Sequence, residues 1–367
     1  MISQQLHPAA PRGIHLLHVV GSVTDEVFSF MGPATRALAK HGHVQHIVVI
    51  DAPEHRNNVG KFDEYAKVVR ISKGANPMRR WRDLIRACRE EVSRDGLDVV
   101  HVHGLVPFLL VSAGMRSSGT QTPVVYSPHG SRSLGTLRVA GKLAMLATYS
   151  AARAARSSAI VTARRDVEAF DGWTNSDVIE SPVGNAFFLA RRSEAKKPLI
   201  MTGGRKNSLR SIEVFTQLAV LLSDEELGLE FHWLGQVPAG AQQRLRAAGV
   251  SVSPIVGDDD CAAHLAAGWM YVAPWSTHGF PQFLVQAMAA GLPCVARDCE
   301  QHREVIEDGK TGFLCASEQE MVRQIAVLVD DPVLRKTMGA AARASADARF
   351  SESNFDDKLL TAYSTRW

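Results

Sequence analysis

Histidines, arginines, an aspartate run and one helix start are the parts of this chain whose types and spacing allow chemistry. His129 stands in a Pro128-His129-Gly130 turn that follows an apolar run at 123–126. His101 and His103 lie two apart on a candidate strand, 98–102 and its end, so their rings share one face. Such a pair can begin a metal site, but no third ligand accompanies it in the sequence, and no bound metal is expected. Arg205 and Arg210 flank the turn Gly203-Gly204 between a strand at 199–202 and the helix that follows. Neighbouring Lys206 reads as a solvated surface cation. Asp258-Asp259-Asp260 resembles a metal-binding carboxylate run, yet it directly precedes a short helix at 261–266. Aspartates there act more simply as an N-cap and as partners of the helix dipole.

The richest stretch is 271–312. An apolar run at 269–273 reads as a buried strand closing at Pro274, and a loop over 276–280 leads into Pro281. Proline suits a first helical turn, where its missing N–H has no partner anyway. Phe283, Leu284, Ala287 and Met288 recur at helical spacing, Gly291 and Pro293 supply the stop, and 292–296 forms the next strand. A helix that starts at the C-terminal edge of a parallel sheet turns free N–H groups and a positive dipole end toward a cleft. That favours an anion, above all a phosphate.

The elements that must hold these residues alternate. A strand at 14–20 ends in Gly21-Ser22, a helix spans 25–40, and a second strand covers 44–50. This unit admits a nicotinamide-cofactor Rossmann domain, but Gly21 stands alone without the full glycine fingerprint. Further strands are expected at 123–126, 159–161 and 178–180. The basic run 191–197 reads as a linker, after which the pattern restarts at 199–202, 231–234 and 250–252. Alternation of this kind specifies parallel sheets covered by helices on both faces, so the chain reads as an α/β protein with two Rossmann-like domains. The expected division is 1–185, 186–349 and a separate helical tail at 350–367.

Across this frame run blocks that resemble retaining glycosyltransferase family 4, of GT-B fold. Gly279-Phe280, Ala287-Met288-Ala289, Gly291 and Pro293 match that family's signature, as do Glu304, Ile306, Gly309 and Thr311-Gly312. The blocks at 98–104, 126–130, 182–185 and Gly204-Arg205 follow in the family's order. Three departures stand out. His278 and Gln286 occupy the places of the family's two glutamates, and Arg210 that of a lysine.

The resemblance implies two Rossmann-like domains facing a cleft, with the C-terminal helix crossing back to the first domain. It implies transfer of a sugar from a UDP- or GDP-linked donor to an acceptor hydroxyl, with retention and without metal or cofactor. On that pattern Arg205 and Arg210 hold the donor diphosphate and His129 lies beside the donor sugar. His278 meets a sugar hydroxyl or a phosphate, and Gln286 meets the ribose hydroxyls. Gly204, Gly279, Phe280 and Pro281 line the donor, with Gly21 and Ser22 at the facing edge, where a residue without Cβ lets the backbone approach closely. The missing glutamates also admit a second reading, a catalytically silent nucleotide-sugar-binding or scaffolding protein. A nucleotide-sugar epimerase or hydrolase on the same fold is a third.

Composition fits a soluble protein of two cores: 367 residues, 46% hydrophobic and 22% charged. Five scattered cysteines, with four residues between Cys294 and Cys299, read as reduced thiols of a cytosolic protein. The first residues lack the build of a signal peptide, and no apolar run approaches the ~20 residues of a membrane span. The net charge of +3 is unevenly spread: 22 Lys and Arg against 16 Asp and Glu give +6 over 1–185, and 19 against 22 give −3 over the remainder. Seven basic and no acidic residues fall within 131–165, interleaved with leucines. That pattern suits a peripheral contact with an anionic membrane surface and a lipid-linked or saccharide acceptor, with no nucleic-acid partner.

Overall fold

The computed structural model describes residues 13–74, 76–93, 96–117, 122–129, 150, 157–164, 167, 176–204, 209–223, 227–275 and 280–364. They form two compact units. The first comprises Met1–Val161, Phe170–Asp177 and Leu360–Trp367; the second comprises Thr162–Ala169 and Val178–Leu359.

The first unit is built on a seven-stranded sheet. Its strands are β1 (His15–Val20), β2 (Val44–Asp51), β3 (Lys67–Ser72), β4 (Val99–His103), β5 (Val124–Ser127), β6 (Ser158–Val161) and β7 (Ser176–Val178), in the order β3-β2-β1-β4-β5-β6-β7. The described pairings are parallel. β4 and β5 are buried throughout, and β1 from Leu16 onward, because helices cover both faces, which is why they appear as mainly apolar runs, broken in β1 and β4 by buried histidines. Helix Asp25–Lys40 follows β1, capped by the Thr24 hydroxyl accepting from Val27 N–H, with Asp25 and Glu26 in its first turn. Leu17, Val19, Val48, Val100, Val102, Phe108 and Tyr126 form the core of this sheet.

The second unit repeats the plan with β8 (Leu199–Gly203), β9 (Glu230–Leu234), β10 (Val250–Ser253), β11 (Met270–Ala273), β12 (Cys294–Arg297) and β13 (Gly312–Cys315), ordered β10-β9-β8-β11-β12-β13 and parallel throughout. In both sheets the chain reverses direction of travel beside its first strand, between β1 and β4 and between β8 and β11. A ligand crevice opens at such a switch point, beyond the carboxyl ends of the strands.

Residues 178–185, grouped above with the first domain, pack in the second unit. Val183 N–H donates to Phe350 C=O at 2.7 Å and Val183 bridges Ser351, while Gln282 Nε2 donates to Pro182 C=O at 2.9 Å. Glu180 accepts from Arg349 and Lys358 in the same unit. The expected tail, 350–367, holds helix Glu352–Ser364, which follows helix Pro332–Phe350 of the second unit. Phe350 is a fully buried member of the second core, so the tail separates from that unit only from Leu360 onward. Asp258, Asp259 and Asp260 form the first turn of helix Asp258–Ala267, whose N-cap is Gly257 with no side-chain bond. They complement the helix dipole from inside the turn rather than capping it.

Candidate functional site

In the first unit the chemistry gathers at the carboxyl ends of β1, β4 and β5. Parallel register sets His18 opposite His101, which brings a third imidazole to the strand pair. The absent third ligand is therefore corrected: one ring nitrogen each of His18, His101 and His103 lie within 4.8 Å of one another, buried, in an arrangement able to hold a metal ion. Those nitrogens are already engaged, however. His18 Nδ1 and His103 Nε2 are hydrogen-bonded at 3.1 Å, and His103 Nδ1 bonds His129 Nε2 at 2.8 Å. Ser127 Oγ donates to Ile160 C=O, so it accepts from His101 Nε2 at 2.8 Å, and His101 Nδ1 then accepts from Tyr363 O–H at 2.6 Å. The tail's Tyr363 is fastened to the sheet by that bond.

His129 sits at the end of this set with φ of +45°, the one non-glycine with positive φ among the described residues. A left-handed side chain of this kind is held only where its surroundings determine it. Here the ring stacks on His103 with centroids 5.1 Å apart, and Phe30 meets it edge-on at 5.5 Å. Burial pushes His18 and His129 down to about 4 and holds His103 well below the usual histidine range. His18, His103 and His129 are thus neutral at pH 7. Gly21 closes β1 beneath Pro107 and Trp81, and a Cβ there would come within 2.8 Å of the Pro107 ring. Its small size serves that packing, and Ser22 beside it is exposed.

In the second unit the candidate residues gather around the β8–β11 switch point. Gly203 ends β8 at φ +142°, Gly204 N–H donates to Leu234 C=O, and Tyr271 O–H donates to Gly203 C=O. Arg210 is exposed in the first turn of helix Leu209–Ser223. Helix Gln282–Ala289 follows β11. Its N-cap is Pro281, which places the proline one position before the first turn; no side chain caps it and no acid stands in its first turn. Phe280 is fixed edge-on against Phe350, and Phe283 packs on Tyr271. The sequence left open whether Gln286 lies on the surface. It is 5% exposed, because residues 284–289 are buried all round the helix. A pocket of about 220 Å³ lined by Gly235, Gln236, Ile255, Val256 and Gly257 opens at the same strand edge, past β9 and β10. Arg205, His278 and Gly279, together with residues 131–149, 151–156 and 165 of the basic segment, lie outside the described residues.

The five cysteines form no disulfide, and burial pushes Cys88 and Cys315 up to about 12, far from thiolate formation at neutral pH. Among the described residues no helix is long and apolar enough to cross a membrane.

Residues 34–169 match the model of Glycosyltransferase Family 4, and residues 197–331 match that of Glycosyl transferases group 1. An uncharacterised glycosyltransferase of Haemophilus influenzae is 32% identical over 96 residues, 25% of this chain and 27% of that protein. The alpha-D-kanosaminyltransferase of Streptomyces kanamyceticus is 25% identical over 189 residues, 47% and 49% of the two chains. The chain thus spans from about a quarter to half the length of these curated relatives. Among solved structures, Anabaena HepE in complex with UDP-glucose superimposes with a TM-score of 0.74 at 15% identity, covering 96% of this chain and 100% of that one. Sucrose-phosphate synthase from Thermosynechococcus elongatus gives 0.73 at 14%, covering 96% and 98%. The fold is GT-B, with two Rossmann-like parallel-sheet domains.

Proposed function

We propose that this chain is a retaining glycosyltransferase that moves a sugar from a UDP- or GDP-linked donor to an acceptor hydroxyl. The observation that carries this reading is the β8–β11 switch point. There a glycine turn, an uncapped helix start and the buried amide of Gln286 converge in a half-chain matched by the glycosyltransferase model. Relatives named as glycosyltransferases and a neighbour holding UDP-glucose support the same class.

On this reading the diphosphate lies at the helix start, where backbone N–H groups and the dipole favour it. Arg205 and Arg210 offset the charge that grows as the glycosidic C1–O bond breaks. The acceptor oxygen bonds C1 on the same face, and its proton passes to the departing phosphate, leaving a nucleoside diphosphate and a glycoside. No protein general base is then required, and no metal. His278 bonds a sugar hydroxyl or a phosphate, and His129 lies beside the donor sugar. The pocket past β9 and β10 receives the base. The basic segment within 131–165 docks on the cytoplasmic face of an anionic membrane, where a lipid-linked acceptor for surface polysaccharide would be presented.

Gln286 tests the donor site. Its side chain has no hydrogen-bond partner among the described residues, leaving it available to ribose hydroxyls. Gln286→Leu is expected to weaken nucleotide binding by about five- to tenfold, the worth of one neutral hydrogen bond. Gln286→Glu is expected to tighten it, because a carboxylate accepts more strongly and the two arginines offset the added charge. Calorimetry with UDP and GDP reads both. If neither substitution changes affinity for either nucleotide, the donor does not use this helix. Tight binding without turnover would mark a silent binding protein, and turnover without an acceptor would mark a hydrolase or epimerase.

A further inference from the structure

The four clustered histidines, His18, His101, His103 and His129, are more than buried rings, since their hydrogen bonds have a direction. We infer that Gln45, His18 and His103 form a tautomer-setting relay that holds His129 neutral, protonated on Nε2, with Nδ1 bare as an acceptor for a ligand hydroxyl.

The direction follows from the Gln45 amide. Its Nε2 donates to Thr35 C=O at 2.9 Å and reaches Tyr65 C=O at 3.5 Å, which fixes the amide and leaves Oε1 buried without a partner. His18 Nε2 is likewise buried and unpartnered, and strand register, with Gln45 opposite Leu16, sets the Gln45 side chain on the same sheet face as His18, diagonally beside it. Two buried bare acceptors side by side on one face repel, so the His18 proton belongs on Nε2, the nitrogen left without another partner. His18 Nδ1 is then an acceptor, and the bond at 3.1 Å must be donated by His103 Nε2–H. A neutral His103 has no second proton, so its Nδ1 accepts, at 2.8 Å, from His129 Nε2–H. This leaves His129 Nδ1, a buried atom with no partner.

Each ring is held in place as well as in tautomer. His18 and His103 stack with centroids 5.4 Å apart, His103 and His129 at 5.1 Å, and Phe30 closes on the chain from the side. His101, bonded separately to Ser127 and Tyr363, packs on His103 at 4.1 Å but takes no part in the relay. A bare nitrogen recognises a group that brings a hydrogen, so the matching ligand is a hydroxyl rather than an anion. That assignment deepens the glycosyl-transfer reading, in which the hydroxyl belongs to the donor sugar, and rests on it only for that last step. His18, His103 and Gln45 are positioning residues, since none is argued to touch the substrate.

The test is long-range proton–nitrogen NMR on full-length protein labelled at histidine, with assignment by single substitution. At pH 7 the His129 ring is expected to show Nε2 protonated and Nδ1 unprotonated. A protonated Nδ1, or a cationic ring, would overturn the relay. Gln45→Leu removes the pin and is expected to raise the minor Nδ1–H form of His129 to a population comparable with the major one. An unchanged His129 tautomer in that variant, with backbone spectra intact, would equally overturn it. One-to-one zinc binding that shifts His18, His101 and His103 together in wild-type protein would show metal ligands in place of a relay. In transfer assays Gln45→Leu is expected to lower kcat about tenfold or more with KM for the nucleotide sugar unchanged, as supporting partners of functional histidines do. Absence of any transfer with the tautomer as expected would count against the glycosyltransferase reading and leave the relay standing.

Discussion

Gly203→Ala is expected to cost the second unit about 4 kcal/mol or more, enough to leave much of the protein unfolded. The residue ends β8 at φ +142°, a conformation that side chains rarely adopt and that by itself costs about 1–3 kcal/mol. A Cβ added there would sit 1.9 Å from Leu234 O, inside the backbone of the neighbouring strand. The strand cannot retreat, because Gly203 pairs with Leu234, Gly204 N–H bonds Leu234 C=O, and Gly203 C=O accepts from buried Tyr271. Gly228→Ala is the control. It also has positive φ, +60°, but a Cβ there would meet nothing within 4 Å, so only the conformational cost of about 1 kcal/mol remains. Urea unfolding of both variants decides the matter. Equal losses would mean that β8 and β9 do not approach as closely as this packing requires.

Acid is expected to be the second large perturbation. In the folded protein burial holds His18 at about 4, and His103 is shifted in the same direction, whereas an unfolded histidine titrates near 6.5. The folded state therefore binds fewer protons than the unfolded state between these values. Stability is fully present above about pH 6.5 and is lost as pH falls toward 4. Between pH 7 and pH 4.5, His18 alone removes about 2–3 kcal/mol, and His103 adds to the loss. The groups around the two rings are Gln45, His101, His129 and Phe30, with no carboxylate among these contacts to offset a new cation. Denaturant unfolding at intervals over this range should show a steady decline. A constant unfolding free energy from pH 7 to pH 4.5 would mean that the cluster is hydrated or already charged.

Much of the architecture is legible in the sequence because parallel strands buried on both faces leave mainly apolar runs. β1, β2, β4, β5, β8 and β11 are found within a residue or two, and helix Asp25–Lys40 is marked by Thr24, its two acids and the closing Gly42. β3 is harder to see. At the sheet edge its burial is only partial, and Lys67 and Arg70 interrupt the run. β7 is read two residues late, since Val178 is both its last residue and the first of the next unit's segment.

The sites divide in the same way. His101 and His103 share a face by strand periodicity alone. His18 joins them through the β1–β4 register, Gln45 through β2, and Tyr363 through the tail, and none of those neighbours is encoded by local spacing. The burial of Gln286 was within reach, because a run of apolar and small residues on every side of a short helix signals one buried all round.

The most direct test of the central claim is calorimetric titration of the wild-type chain with UDP, GDP and their hexose conjugates in the presence of EDTA. A nucleotide-sugar transferase whose donor is held by arginines, a helix start and Gln286 should bind at least one of these at a single site. The expected affinity lies in the range of about 1 μM to 1 mM that enzymes show for their substrates, with no metal required. Folded protein that binds none of them in that range, with or without added manganese, would contradict it.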